Sequence, residues 1–267
     1  MLETVAAACC FASLLSAQAR PETNEADTWR LQGLRNGYCV HFLVQPEVAT
    51  RQVKQGFTVL RAQEDSTLHP ALQQVIRSQP EFGAWTASNL CLYYLDAVQV
   101  GKRRIAEHDP RNYELIGVWT LATQEQASGT RRNLVLDMFA NRTNLLNAAE
   151  LAHVRLHELK SSYYDRPDTI SDVYNLKIGK TQLTWAGRPV GDSTRVEQPK
   201  VERWSVKGLR GDIQTAELVM SPAWSRGVVG SLSVGGKGDL GKLLHASPIR
   251  FVGPLYRGGG GEIRFSR

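Results

Sequence analysis

Glu150, His153 and His157 are the first residues whose types and spacing suggest chemistry. They fall in a segment, about 143–163, where Leu145, Ala149, Ala152, Leu156, Leu159 and Tyr163 recur every three or four residues, which predicts one long amphipathic helix. On such a helix the three polar residues stand at i, i+3 and i+7 and share a side. Two imidazoles four residues apart can reach one metal ion. A zinc centre is therefore the alternative reading, with its further ligand drawn from His41, His108 or Asp137. The metalloprotease pattern HExxH would need Glu at position 154, where Val154 stands. The plainer reading, a polar margin beside an apolar stripe, calls for no cofactor, and none is predicted.

The segment Gly236-Lys237-Gly238-Asp239-Leu240-Gly241-Lys242-Leu243 has the outline of a phosphate-cradling loop. Leu243 occupies the place of the magnesium-binding hydroxyl, and only about 25 residues follow, too few for the parallel sheet such loops serve. It reads instead as a glycine-rich turn into a short helix. Ser231-Leu232-Ser233-Val234-Gly235 lacks the first glycine of a nucleophile elbow. Arg210-Gly211-Asp212 lies between two strand candidates and reads as a turn. Arg257 and Arg264 flank four glycines, 258–261, and form a candidate anion-binding loop through guanidinium forks and backbone N–H groups.

Two other cysteines, Cys39 and Cys91, sit in strand-like runs and are expected to form one disulfide. Cys9 and Cys10 belong to an apolar stretch, Val5 to Ser16, followed by Ala17-Gln18-Ala19. That pattern predicts a signal peptide cleaved near Ala19 and a secreted or periplasmic mature chain with no transmembrane segment.

The elements that must position these residues are mostly strands. The chain has 267 residues, 42% hydrophobic and 22% charged, enough for a substantial core. Strand patterns at Tyr38–Val44, Leu90–Val100, Tyr113–Thr123 and Arg132–Phe139 precede the helix, and the last three, joined by short turns, form an antiparallel meander. Further strand patterns follow it, broken by a short helix at Leu240–His245. Strands, then a helix, then strands predict an α+β fold with antiparallel or mixed sheets, one long helix and short helices packed against them. Residues 20–165 would form an N-terminal α+β lobe and 166–267 a β-rich C-terminal lobe, the two free to merge into one domain.

The formal charge of +6 is scattered, so specific nucleic-acid recognition is not expected. Because each catalytic motif is incomplete and aromatic residues are frequent in the strands, the sequence favours a non-enzymatic envelope or extracellular binding protein. Its partner would be an apolar small molecule, an anionic polymer or an anionic surface. A metal-dependent hydrolase using His153 and His157, and a scaffold or adhesion component, are the alternatives.

Overall fold

The structure, a computed structural model, describes residues 29–53, 55–95, 97–107, 114–151, 153–166, 171–196, 199–209, 211–221, 224–257 and 260–266. The expected export segment 1–19, His108 and Arg210 lie outside the described residues.

The first half of the chain runs β1 (Trp29–Gln32), β2 (Arg35–Val44), α1 (Pro46–Gln52), β3 (Phe57–Val59) and α2 (Pro70–Ser78). It continues through β4 (Thr86–Leu95), β5 (Ala97–Val100), β6 (Arg103–Glu107), β7 (Glu114–Glu125), β8 (Arg131–Ala140) and α3 (Thr143–Leu151). The second half runs β9 (His157–Arg166), β10 (Ser171–Ile178), β11 (Thr181–Arg195), β12 (Lys200–Lys207) and β13 (Ile213–Ser221). It ends with β14 (Trp224–Gly236), α4 (Asp239–Ala246), β15 (Arg250–Arg257) and β16 (Gly260–Ser266). The α+β class is as expected, carried among the described residues by one large mixed sheet and four short α-helices.

The sheet closes on itself. Following the hydrogen-bonded neighbours gives β7–β4–β2–β15–β14–β11–β10–β9–β8, and β8 pairs again with β7. These strands form a barrel, which removes their open edges. Strands from both sides of residue 165 interleave in this ring.

The wall forks at β8. One edge of β8 pairs with β7 along its length. Its other edge pairs in parallel with β12 at Asn133 and Leu134, then with β9 at Phe139 and Ala140. From β12 a second sheet continues through β13, β16, β1, β5 and β6.

Side-chain alternation sorts the core into three layers. On β4, Leu90, Leu92 and Tyr94 point into the barrel with Phe42, Trp119, Leu183 and Trp185. Cys91, Tyr93 and Leu95 point outward, where they meet Trp29, Trp204 and Phe265 of the second sheet. A third layer, including Leu43, Leu72, Phe82 and Ala122, lies under α2. Trp29, Trp119, Trp185, Trp204, Tyr93 and Tyr94 thus fill layers, while Trp224 on β14 is exposed.

The long helix of 143–163 is not formed. α3 stops at Leu151, and β9 begins at His157. His153 adopts φ +56°, its carbonyl accepts from Leu209 N–H at 2.8 Å, and Val154 bridges to Gly208. Those bonds pull the chain out of helical register. Leu159 fits a helical stripe, but it fits strand alternation equally well, and pairing of β9 with β10 over eight positions decides for the strand. A helix the sequence did not suggest, α1, follows β2 directly, with Pro46 in its first turn.

Cys39 and Cys91 face each other across β2 and β4 and form the expected disulfide. It closes a loop with a sequence separation of 52. Asp65 makes a second crosslink, holding the loop before α2 to β8 through Arg131 Nε at 2.7 Å and Nη2 at 2.9 Å, and also binding Thr67. Burial pushes the Asp65 carboxyl up, but Arg131 and the Thr67 donors outweigh it and hold it below the usual carboxylate range.

Two outcomes follow. Replacing both Cys39 and Cys91 by Ala is expected to lower unfolding free energy by about 2–4 kcal/mol in urea melts. Asp65 binds its proton less tightly folded than unfolded. Its stabilisation is therefore present above pH about 4 and lost as pH falls below that. Asp65→Asn should flatten the acid limb of the stability curve. Arg131→Met, which strands the carboxylate, should cost about 2–3 kcal/mol at neutral pH, less than for a sealed pair because Arg131 is partly exposed.

Candidate active site at the barrel mouth

The fork in β8 builds the site. Between the stretch that pairs with β12 and the stretch that pairs with β9 lies Asp137. Across the other edge, the register with β7 slips: Trp119 faces Asp137 and Thr120 faces Val135, so Leu136 is an extra residue. Such a bulge re-aims the residues beside it. Here it puts Leu136 against the barrel-interior cluster while Val135 stays in the outer layer.

His157 opens β9 opposite Phe139. Its Nδ1 lies 2.8 Å from Asp137 Oδ1 and 3.0 Å from Oδ2. The His157 side chain is 44% exposed and that of Asp137 26% exposed. Burial pushes the Asp137 carboxyl above the usual carboxylate range, against the opposing pull of His157, the Met138 amide and Arg155. A carboxylate on Nδ1 fixes the imidazole tautomer with its proton on that nitrogen, leaving Nε2 as the basic atom.

The pair lines a cleft of about 770 Å³ at one end of the barrel. Trp119 and Phe139 line it beside the pair, and Trp119 Nε1 is held at 3.0 Å by Ser88 Oγ. The rim comes from β9, from the β10–β11 turn and from the entry to α4. It carries Lys160, Lys177, Lys180, Lys237 and Lys242, all exposed, against Glu158 and Asp239. Lys242 Nζ bonds Asp239 at 3.1 Å.

The glycine-rich segment shapes this rim. Gly236 has φ +82°, and a Cβ there or on Gly238 would collide with Lys180 or Thr181. Thr181 Oγ1 accepts from Gly241 N–H at 3.2 Å and ties α4 to the start of β11. The segment is therefore a close-packed corner, and Leu243 is buried in the interior.

The sequence-derived candidates separate. Glu150 lies exposed in the last turn of α3 and His153 follows the helix in a turn, so the shared helical face does not exist. Among the described residues no three His, Cys, Asp or Glu side chains converge on a metal position. His157 and Asp137, both considered as ligands, are brought together, but as a hydrogen-bonded pair. Arg264 is bound to Glu262, which raises its pKa further. The Arg257 side chain and Gly258–Gly259 lie outside the described residues. Lys160, Lys177 and Lys180 went unnoticed because single lysines at strand ends carry no motif. No helix among the described residues is long and apolar enough to cross a membrane.

No family model and no curated protein matches the sequence. Solved structures do share the fold. The enduracididine biosynthesis enzyme MppR complexed with pyruvate aligns with TM-score 0.53 at 12% identity, covering 95% of this chain and 92% of that one. An acetoacetate decarboxylase-like enzyme from Sphingomonas wittichii RW1 gives 0.52 at 9% identity, covering 90% of each chain. An acetoacetate decarboxylase from Legionella pneumophila gives 0.50 at 10% identity, covering 94% and 90%. These fold neighbours are enzymes, which overturns the expectation of a non-enzymatic binding or scaffold protein. Nothing in them supports a secreted ligand carrier either.

Asp137→Asn is the direct check on the pair. The folded pKa of Asp137 is raised, so its ionisation subtracts stability as pH rises from about 4 through that folded value. The variant should fold, lose this downward slope in a pH series of thermal melts, and turn the fixed Nδ1–H tautomer of His157 into a mixture visible in ¹⁵N shifts.

Proposed function

We propose that this protein is an enzyme that moves a proton at the carbon next to the carbonyl of a small keto acid, with His157 as the base. One observation carries the reading: a histidine oriented by a part-buried carboxylate at the mouth of a closed barrel, inside a cleft rimmed by lysines. Proton abstraction needs a base near its working pH, held within reach of the C–H bond. Asp137 supplies orientation and stabilises the imidazolium that forms. The C–H electron pair becomes the C=C bond of an enolate while the carbonyl π pair moves onto oxygen, and the proton passes to Nε2. Return of the proton, or capture of the enolate by an electrophile, completes the turnover.

The lysines supply charge. Outside the Asp137–His157 pair, five lysines on the rim face two carboxylates, so the cleft attracts a carboxylate-bearing substrate. An imine-forming lysine needs its ammonium desolvated or crowded by another cation. All five here are exposed. We assign them to holding the substrate carboxylate, a role that exposed ammonium groups suit. The apolar wall of Trp119 and Phe139 suits the short carbon chain. The neighbours named for acetoacetate and pyruvate support the substrate size, on fold similarity alone.

The test is solvent deuterium exchange. In D₂O, ¹H NMR should show pyruvate or acetoacetate losing α-protons faster with the protein than in buffer. His157→Gln should slow that exchange at least about 100-fold, as loss of a general base does. Lys177→Ala with Lys180→Ala should raise KM with little change in kcat. Exchange no faster than in buffer across small keto acids, or an undiminished rate in His157→Gln, would refute the assignment.

A further inference from the structure

A second cavity lies on the outer face of the barrel, away from the dyad. It measures about 350 Å³ and is built from β2, β4, β8, β12 and the loop before α2. Its polar lining is almost fully assigned. Asp65 is saturated by Arg131 and Thr67. Asn89 Oδ1 lies 2.7 Å from His41 Nδ1. His69 Nδ1 accepts from Ala71 N–H, which places its own proton on Nε2. The rings of His41 and His69 stack with centroids 4.3 Å apart, giving the cavity one flat, π-rich wall.

Asn133 presents an unmet acceptor to the cavity. It is 2% exposed and lines the cavity. Its Nδ2 donates to Glu202 Oε2 at 2.9 Å, and a carboxylate only accepts, so the amide orientation is fixed. That leaves Oδ1 as a buried acceptor with no partner. Trp204 Nε1 holds the same Glu202 oxygen at 3.1 Å and locks the arrangement from behind. Buried acceptors without partners are rare in folded proteins and mark places where a donor belongs. Val201, half exposed, lines the same cavity.

We propose that this cavity binds a small ligand with a planar N–H-donating head, an amidine, guanidine or amino-substituted heteroaromatic ring. One N–H bonds Asn133 Oδ1, and the plane of the head lies along the imidazole wall. A carboxylate head is rejected, because it would meet an acceptor with an acceptor and lie beside Glu202. The site is independent of His157 and of any reaction at the barrel mouth.

The test uses benzamidine, 2-aminopyrimidine and benzoate as probes, read by the ring C–H NMR signals of His41 and His69. Benzamidine or 2-aminopyrimidine should shift both histidines saturably, with Kd at least tenfold below that of benzoate. Asn133→Leu should weaken that binding at least tenfold, and His157→Gln should leave it unchanged. Should Asn133→Leu not fold, Val201→Trp at the rim should block the probes instead. Equal response to benzoate, no saturable shift with either N–H donor, or loss of the response in His157→Gln would overturn the proposal.

Discussion

The pairing of β8 with β7 is the constraint on which the remaining architecture rests. It turns an extended run of strands into a closed ring and leaves the other edge of β8 to be shared. A strand in a simple sheet has one neighbour per edge. β8 has β12 for the first part of that edge and β9 for the last part. The intervening backbone belongs to neither, and Asp137 stands there. The bulge opposite Trp119 makes this fork compatible with closure, because one extra residue resets which side chains face inward. Without the slip, Leu136 and Val135 would exchange faces, and both the barrel core and the outer layer would lose packing. The acidic residue is thus held in place by strand register, which makes its position relative to β9 a property of the whole ring.

That origin explains the mixed character of the site. Asp137 and His157 sit where the dry interior ends and the mouth begins, so the carboxyl is buried enough to resist ionisation while the imidazole remains reachable. A pair deeper in the barrel would meet Trp185 and Leu183, with no solvent to carry protons. A pair further out would lose the field of the rim to screening, since exposed charges beyond about 10 Å interact little at ordinary salt. The lysines lie on β9, on β10, in the β10–β11 turn and at the entry to α4, where long cationic side chains project over the cleft without desolvating their ammonium groups.

The local signals in the sequence were legible where one interaction decides them. The strand patterns of β2, β7 and β8 were readable because apolar side chains fill both of their faces, each face packing into a different core layer. The cysteine pair was readable from its count and its strand context. The segment 143–163 misled because Leu145, Ala149, Leu156 and Leu159 satisfy both periods at different places. What selects strand after Val154 is pairing with β10, the next strand in the chain, and the bridge to Gly208, which is remote in sequence. Closure of the ring had no local signature at all. Neither did the meeting of Asp137 with His157, since it depends on a two-residue parallel contact between β8 and β9.

The glycine-rich segment shows how one pattern can arise from two physical causes. In a phosphate loop, glycines let backbone amides approach an anion. Here Gly236 and Gly238 are required because β11 begins against them, with Lys180 and Thr181 where a Cβ would sit. The same close approach turns α4 across the barrel mouth, buries Leu240, Leu243 and Leu244, and leaves Lys237 and Lys242 on the outer side. Apolar residues of α4 therefore seal the interior while its lysines border the cleft. Sequence spacing alone cannot distinguish a loop that wraps an ion from a corner that wraps a neighbouring strand. The difference lies in what stands opposite the glycines, and in this protein it is the hydroxyl and backbone of Thr181.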